Sequence, residues 1–294
     1  MSRRGWLLFF MTGLLWGIPY LFIKVAVDPD GGFSPAIVVC LRTAIGAAIL
    51  LPWAIRQKTL GDAIRGIRYV APYAVLEMIG PWILIGTAEQ KISSGLAGLL
   101  VASVPIWATI FASLKGDKTV WQRKRLFGIA IGFVGLVLVV GIESIKGGSD
   151  PLSILMVLVA SIAYAYAVMF VQSGLPGVSG VAINGVAMLI TAIFYLPFTV
   201  AQWPSHHIDQ SAIWSVVALG IFSSGIAFAI FFTLVDIIGV ARASLVTYLN
   251  TAFAVVLGVI ILGEPITTGI IIGLPLVLFG SYLASRKSEA KINA

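Results

Sequence analysis

Long runs of apolar residues, separated by short polar links, are the dominant pattern of this chain. Ten runs can be marked, each near the length of about 20 residues that a helix needs to cross a bilayer. They cover residues 6–27, 35–56, 69–87, 92–114, 124–142, 151–172, 180–201, 212–235, 240–262 and 268–285. Runs of this length without period-two alternation predict helices rather than the strands of a barrel. The expected fold is an all-α membrane protein with ten transmembrane helices.

Composition agrees with the pattern of the runs. Hydrophobic residues make up 59% of the chain and charged residues 11%, whereas soluble domains carry about 25% charge. The short links leave no room for a soluble domain. Cys40 is the single cysteine, so no internal disulfide can form and cysteine usage does not indicate a compartment.

The basic residues predict the orientation of the helices. With the N-terminus inside, the cytoplasmic links hold fifteen of the 19 Lys and Arg residues, and the outer links hold only Lys91 and Lys146. This positive-inside bias predicts that both termini are cytoplasmic, in an inner (plasma) membrane. It also accounts for the net charge of +7 without a nucleic-acid partner. Glu89 is assigned to an outer link by the same count.

Two similar segments indicate a duplicated unit. Residues 239–265 form an apolar run with a polar notch, which ends at Gly263, Glu264 and Pro265, and residues 93–118 have the same plan. An offset of 147 residues relates Gly95, Ser103, Gly116 and Asp117 to Arg242, Asn250, Gly263 and Glu264. Halves at 1–145 and 146–294 would each contain five helices, an odd number, so the two repeats would be inverted. Inverted repeats are typical of secondary transporters that work by alternating access.

Several short motifs resemble one known family. They are Leu15, Trp16 and Gly17 with Phe22 and Lys24, Leu41 and Arg42, and the closing Gly263, Glu264 and Pro265. In this order they resemble the EamA family of the drug/metabolite transporter superfamily, over about residues 5–285. Asp117 and Lys118 stand where the family usually has a Glu-Pro-like pair, and Ala163 replaces the repeated Trp. The resemblance implies ten helices, inverted five-helix repeats and secondary transport, with exporters of aromatic amino acids as the nearest match.

Charged side chains inside the spans are the sharpest candidates for function, since burying one costs at least about 2.5–3.5 kcal/mol. Lys24, Arg42 and Glu77 are the three. One hypothesis is an Arg42–Glu77 ion pair that forms in one state of the transport cycle and breaks in the other. A second is that Arg42 or Lys24 attracts a substrate carboxylate while Glu77 carries a proton. Static roles remain open, as a permanent pair or as Lys24 extending to the outer surface.

Aromatic and small polar residues complete the expected substrate site. Together with Glu77 they form a mostly apolar pocket with few polar groups, which suits an amphipathic solute and lacks the cations that a nucleotide sugar requires. The expected substrate-binding residues are Trp16, Tyr20, Glu77, Met78, Pro81, Ser103, Trp107, Tyr164, Phe222, Tyr248 and Asn250.

No motif for catalysis or for phosphate binding occurs, so we expect no enzyme, no cofactor and no ATP-driven step. His206 and His207 have only Asp209 nearby, too few ligands for a metal site. The GxxxG motifs at 128–132 and 269–273 predict helix packing, within a monomer in preference to a dimer. The expected partners are a small-molecule amino acid and the lipid bilayer. A permease for sugars, nucleosides or cationic drugs, a channel and an intramembrane enzyme remain alternatives.

Overall fold

The computed structural model describes residues 2–116, 121–145, 150–239 and 243–285, and the regular secondary structure of those residues is helical, without a strand. The helices are α1 (Arg3–Ala26), α2 (Pro35–Arg56), α3 (Leu60–Arg65), α4 (Ile67–Ala74), α5 (Gly80–Glu89), α6 (Ser94–Val101), α7 (Val104–Leu114), α8 (Arg123–Ile145), α9 (Pro151–Gly174), α10 (Gly180–Ala201), α11 (Gln210–Ala218), α12 (Ala227–Ile238), α13 (Val246–Leu262) and α14 (Thr268–Ser285). The predicted all-α class is therefore confirmed.

Seven helical stretches among the described residues are long and apolar enough to cross a membrane, and α13 and α14 are shorter apolar helices. Lipid-facing side chains account for the many exposed large apolar residues, because a bilayer offers nothing that drives them inward. The chain is a multi-pass membrane protein. We call one end of the bundle the Glu264 end. It carries Glu264, which accepts a hydrogen bond from the Ser94 amide. The links before α2 and α11 lie at the same end and meet where the backbone N–H of Asp209 donates to the Gly31 carbonyl.

Two of the spans contain a π-helical turn. In the stretch Ile67–Glu89 it covers Val75–Ile79, immediately before Gly80 and Pro81. In the stretch Gln210–Ile238 it covers Leu219–Ile226. A π turn disturbs the regular ladder of backbone bonds, and the carbonyl of Ile79, at the end of this turn, accepts a 2.8 Å hydrogen bond from the Tyr195 hydroxyl. Such turns occur frequently at functional sites.

The predicted continuous helix over 92–114 is corrected by the structure to two helices. α6 and α7 are separated by a turn at Ala102 and Ser103. Pro105 explains the break, since it has no N–H to donate to the carbonyl four residues earlier. The Ser103 hydroxyl donates instead to the Leu100 carbonyl at 2.7 Å. Residues 240–242, near the start of the similar segment 239–265, lie outside the described residues.

Glycines allow α8 and α14 to pack backbone against backbone. A Cβ on Gly280 would collide with the amide nitrogen of Gly132 and lie 2.7 Å from the carbonyl oxygen of Gly128. On the same interface, a Cβ on Gly135 would lie 2.7 Å from the Leu276 side chain. The small-residue face of α8 is thus used within the chain, which is the use that the sequence favoured.

Asp150 caps the first turn of α9 at the Glu264 end. Its carboxylate accepts hydrogen bonds from the hydroxyl and the backbone N–H of Ser153, at 2.8 and 3.0 Å. These bonds hold the pKa of that exposed carboxyl below its ordinary value, with a smaller contribution from Lys91. A lowered pKa in the folded state stabilises above the unfolded pKa. This contribution is therefore present at neutral pH and is lost as the pH falls through the lowered pKa.

Candidate functional site

A buried guanidinium occupies the centre of the candidate site. Arg42, on α2, is only 5% exposed, and its Nε donates to the Ser224 hydroxyl at 3.2 Å. Its Cζ lies 3.8 Å from the centroid of the Trp82 ring, a cation–π contact. Within the described part of the chain it forms no ion pair. Its one hydrogen bond among the described residues uses Nε, so the terminal nitrogens of Arg42 remain available to a ligand.

Aromatic side chains surround this guanidinium. Tyr20 from α1 and Tyr164 from α9 are both close enough to Arg42 to interact electrostatically with it. Tyr164 also interacts with Trp82 through its hydroxyl. The result is a site with one cation, a few hydroxyls and several ring faces, which is the composition expected for an amphipathic solute.

Glu77 lies in the π-helical turn on the far side of Tyr164. Its Oε2 is buried and has no hydrogen-bond partner among the described residues. Tyr73 and Tyr164 are its polar neighbours, and the Tyr73 hydroxyl is itself engaged, donating to Asn184 Oδ1 at 3.0 Å.

The hypothetical Arg42–Glu77 ion pair is not formed in this structure. Arg42 is directed toward Ser224 and Trp82, and Tyr164 neighbours both charged side chains. The sequence places both charges inside membrane spans. Depth alone does not specify the direction in which a side chain points, and the stacking on Trp82 decides it here.

Lys24 takes part in helix capping. Its ammonium donates to the carbonyls of Glu89 and Ile92, at 2.6 and 3.0 Å, at the end of α5. Free carbonyls at a helix C-terminus attract cations. This is the static alternative for Lys24, with the difference that it extends to α5 rather than to the bulk surface.

Glu89 was assigned to an outer link, and the structure corrects this assignment. It is the last residue of α5, its side chain has 0% exposure, and neither carboxyl oxygen has a partner among the described residues. The correction arises because the end of α5 is packed against α1 rather than projecting from the bundle. No pattern of residues around Glu89 indicates this burial.

The remaining expected residues divide into two groups. Of the expected residues, Tyr20 and Tyr164 lie around Arg42, and Glu77 neighbours Tyr164. Trp16 packs on Phe228 and Phe231, with ring centroids 5.3 and 4.6 Å away. Met78 is buried within the π turn, and Pro81 is buried just after it. Five expected residues are not among the contacts that the described residues show for Arg42. They are Ser103, Trp107, Phe222, Tyr248 and Asn250.

These outlying residues have local roles. The Trp107 indole donates to the Ser103 hydroxyl at 3.1 Å, so these two side chains contact each other. Asn250 Oδ1 accepts from its neighbour Thr251 at 3.3 Å. Phe222 is 45% exposed, on the outside of its helix.

Sequence reasoning omitted Trp82, Ser224 and Tyr73 from the expected site. A usable signal existed for Ser224: it lies 147 residues after Glu77, the offset that relates the two halves. Trp82 was not predicted to be the partner of Arg42. Tyr73 carried no signal, since a tyrosine near a helix end is most often an interface anchor.

Glu264, near the end of the segment 239–265, caps α6, which lies in the similar segment 93–118. Its carboxylate accepts from the Ser94 amide and hydroxyl, both at 2.8 Å, and from the Gly95 amide at 3.1 Å. A carboxylate at these unpaired amides of the first turn of α6 is favourable, because they carry partial positive charge. The contact connects residues 170 positions apart and joins the last third of the chain to the first.

We expect Glu264→Ala to destabilise the protein by about 0.5–2 kcal/mol, the typical effect of losing such a cap. Glu264→Gln should lose less, because its amide oxygen still accepts one of the three bonds. The midpoint of thermal unfolding in detergent measures both. Equal midpoints for the wild type and Glu264→Ala would contradict a capping role.

The chain resembles known proteins over nearly its whole length. The model of the EamA-like transporter family matches residues 3–141 and 151–286. A transporter of Archaeoglobus fulgidus, described as uncharacterized, is 28% identical over 97% of this chain and 99% of its own length. The uncharacterized transporter YoaV of Bacillus subtilis is 25% identical over 92% of each chain. The uncharacterized inner membrane transporter YedA of Escherichia coli is 26% identical over 95% of this chain and 92% of its own.

A protein of known crystal structure has the same fold. It superposes with a TM-score of 0.63 over 96% of this chain and 98% of its own, at 20% identity. At that identity the similarity concerns the fold alone. The family match, by contrast, spans almost the whole length, so this chain belongs to the EamA-like transporter family.

Proposed function

We propose that this protein is a secondary transporter that exports amino acids, preferably aromatic and other apolar ones, across the inner membrane by alternating access. The observation that carries the proposal is Arg42. A cation enclosed in a membrane protein without a carboxylate partner is costly, and it is retained where a ligand supplies the counter-charge. A planar guanidinium with free terminal N–H groups matches a carboxylate, to which it can donate two parallel bonds.

Glu77 and the aromatic residues supply the rest of amino-acid recognition. A carboxyl with a free oxygen suits the ammonium group of an α-amino acid, while Arg42 receives its carboxylate. Tyr20, Trp82 and Tyr164 offer ring faces to an apolar or aromatic side chain. A sugar or a nucleoside has no negative group for Arg42, and a cationic drug would be repelled by it.

Internal symmetry supports alternating access. The two π-helical turns coincide under the offset of 147 residues, since 75–79 maps onto 222–226. Under the same offset α2 corresponds to α10 and α8 to α14, and each helix packs against its own counterpart. This is the contact pattern expected of two inverted repeats, 1–145 and 146–294, in a ten-helix bundle with cytoplasmic termini. An inner-membrane location is supported by the description of YedA.

Counterflow in liposomes tests the proposal. Purified protein is reconstituted into vesicles loaded with unlabelled phenylalanine, and uptake of radiolabelled phenylalanine is followed. We expect saturable uptake above that of empty vesicles, and competition by tryptophan and leucine but not by phenethylamine, which lacks the carboxylate. Equal competition by phenethylamine would overturn carboxylate recognition. Non-saturating flux would indicate a channel, and chemical change of the solute an enzyme.

We expect Glu77→Gln to raise the concentration for half-maximal uptake of phenylalanine by about 10-fold, because an ion pair with the ammonium group is replaced by a neutral hydrogen bond. The same change should leave competition by hydrocinnamate, which has no amine, unaltered. Glu77→Asp is the matched control that keeps the charge. An unchanged half-saturation concentration in Glu77→Gln would remove Glu77 from the site.

A further inference from the structure

Glu89 is a second buried acid that the proposed substrate site does not use. Its side chain has 0% exposure, and both of its carboxyl oxygens are without a hydrogen-bond partner among the described residues. Ionised carboxylates in such surroundings are costly unless they are paired and hydrogen-bonded. The enclosure therefore suits the neutral acid.

The position of Lys24 independently indicates a neutral acid. The Lys24 ammonium lies at the end of α5 and donates to the backbone carbonyls of Glu89 and Ile92, yet it forms no ion pair with the Glu89 carboxyl. An ammonium within reach of an ionised carboxylate in a medium of low dielectric constant would pair with it. Its choice of backbone carbonyls is the arrangement expected beside an uncharged carboxyl.

A cleft gives the Glu264 end access to this region. It has a volume of about 260 Å³, and its lining includes Lys24, Asp28, Asp209 and Glu264. Three carboxylates around one ammonium raise the local concentration of cations, protons included. Lys24 is the shared member: it lines the cleft and it contacts the residue that carries the buried acid.

We propose that Glu89 is a proton-binding site that exchanges with this cleft and controls the closure of the Glu264 end. In the protonated form Lys24 stays on the carbonyls of Glu89 and Ile92 and joins α1 to the end of α5. On release, the O–H bond of Glu89 breaks, the proton passes to water in the cleft, and the carboxylate draws the Lys24 ammonium away from those carbonyls. The contact between α1 and α5 then loosens.

The charged and titratable neighbours of Glu89 agree with this exchange. Lys24 from α1, Glu264 from the link before α14 and Arg42 from α2 act on its carboxyl, and Tyr20 from α1 lies near it. Lys24 is the strongest of these influences, so it is the natural partner of the ionised form. The role in a transport cycle rests on the proposed function, but proton binding itself does not require a substrate.

Infrared difference spectroscopy tests proton binding without any solute. The full-length protein is titrated from about pH 5 to about pH 9, a range that separates an ordinary carboxyl from a buried one, and the carbonyl stretch of protonated carboxylic acids is recorded. We expect a band that Glu89→Gln removes and Asp28→Asn, an exposed cleft carboxylate, preserves. Identical spectra for wild type and Glu89→Gln would overturn the proposal, as would a band that sodium ions remove at constant pH. Should Glu89→Gln not fold, Glu89→Asp must shift the band, and an unshifted band overturns the proposal equally.

Cysteine labelling tests closure. In a Cys40→Ala background, Val27→Cys introduces a thiol at a site with 0% exposure, three residues after Lys24. Its rate of alkylation is divided by that of Ser205→Cys, in an exposed link, which corrects for thiolate formation. We expect the ratio to rise several-fold with pH, and to become independent of pH in Glu89→Gln. A rise that persists in Glu89→Gln would contradict control by Glu89, whether or not the protein transports amino acids.

Discussion

Replacing Arg42 by Gln is expected to weaken phenylalanine binding by about 10- to 150-fold. Hydrogen bonds to a charged group contribute about 1.5–3 kcal/mol, and each 1.4 kcal/mol is a factor of ten. Arg42→Lys should restore part of the loss, because a point charge attracts a carboxylate but cannot donate two parallel bonds to it. The half-saturation concentration in counterflow measures both variants.

The matched control for this prediction is Arg65→Gln. Arg65 is an exposed arginine with an 82% accessible side chain, paired with Asp62 at the opposite end of the bundle. It should leave binding unchanged, since surface ion pairs contribute little. Phenethylamine, a cation that Arg42 repels, should bind Arg42→Gln no more weakly than it binds the wild type. Equal phenylalanine affinity in Arg42→Gln and in the wild type would refute the proposed carboxylate site.

Gly280→Leu is expected to destabilise the protein by more than about 3 kcal/mol, or to prevent folding. Overpacking a core by a few methylenes costs about 1–3 kcal/mol where side chains can yield. At Gly280 the obstacle is the backbone of Gly132 and Gly128, which cannot move without separating α8 from α14. Gly280→Ala adds only a Cβ at the same contact and should give an intermediate loss of stability.

The midpoint of thermal unfolding in detergent, with monodispersity by gel filtration, tests this series. Gly61→Ala is the control, because its added Cβ would meet only the end of the Arg65 side chain, 3.6 Å away. A Gly280→Leu protein as stable as Gly61→Ala would mean that α8 and α14 do not pack at this distance.

Hydrophobic patterning predicted the helices well because a membrane span leaves few alternatives: every backbone group must be paired within the segment. It could not predict the π-helical turn at Val75–Ile79, which lies just before Gly80 and Pro81. It also missed the division between α6 and α7, although Pro105 carried the signal. Local backbone geometry depends on tertiary partners such as Tyr195, and these are invisible in a single run of apolar residues.

The sequence could predict which charged side chains lie within the spans but not which residues they contact. Insertion cost singled out Arg42 and Glu77, and the structure keeps both inside. The hypothetical pair between them is not formed in this structure, because Trp82 and Ser224, from distant parts of the chain, hold the guanidinium elsewhere. Glu89 escaped notice because the last residue of a span is ordinarily wetted, and only the packing of α5 against α1 reveals its enclosure.

The matching π-helical turns have an implication for the history of the chain. A helix acquires such a turn when one residue is inserted, and deleting that residue restores regular geometry without rotating the flanking faces. Under the proposed duplication, one insertion in a five-helix ancestor would account for both Val75–Ile79 and Leu219–Ile226, whereas separate insertions would require two events. The insertion that produced the segment holding Glu77 would then be older than the proposed duplication.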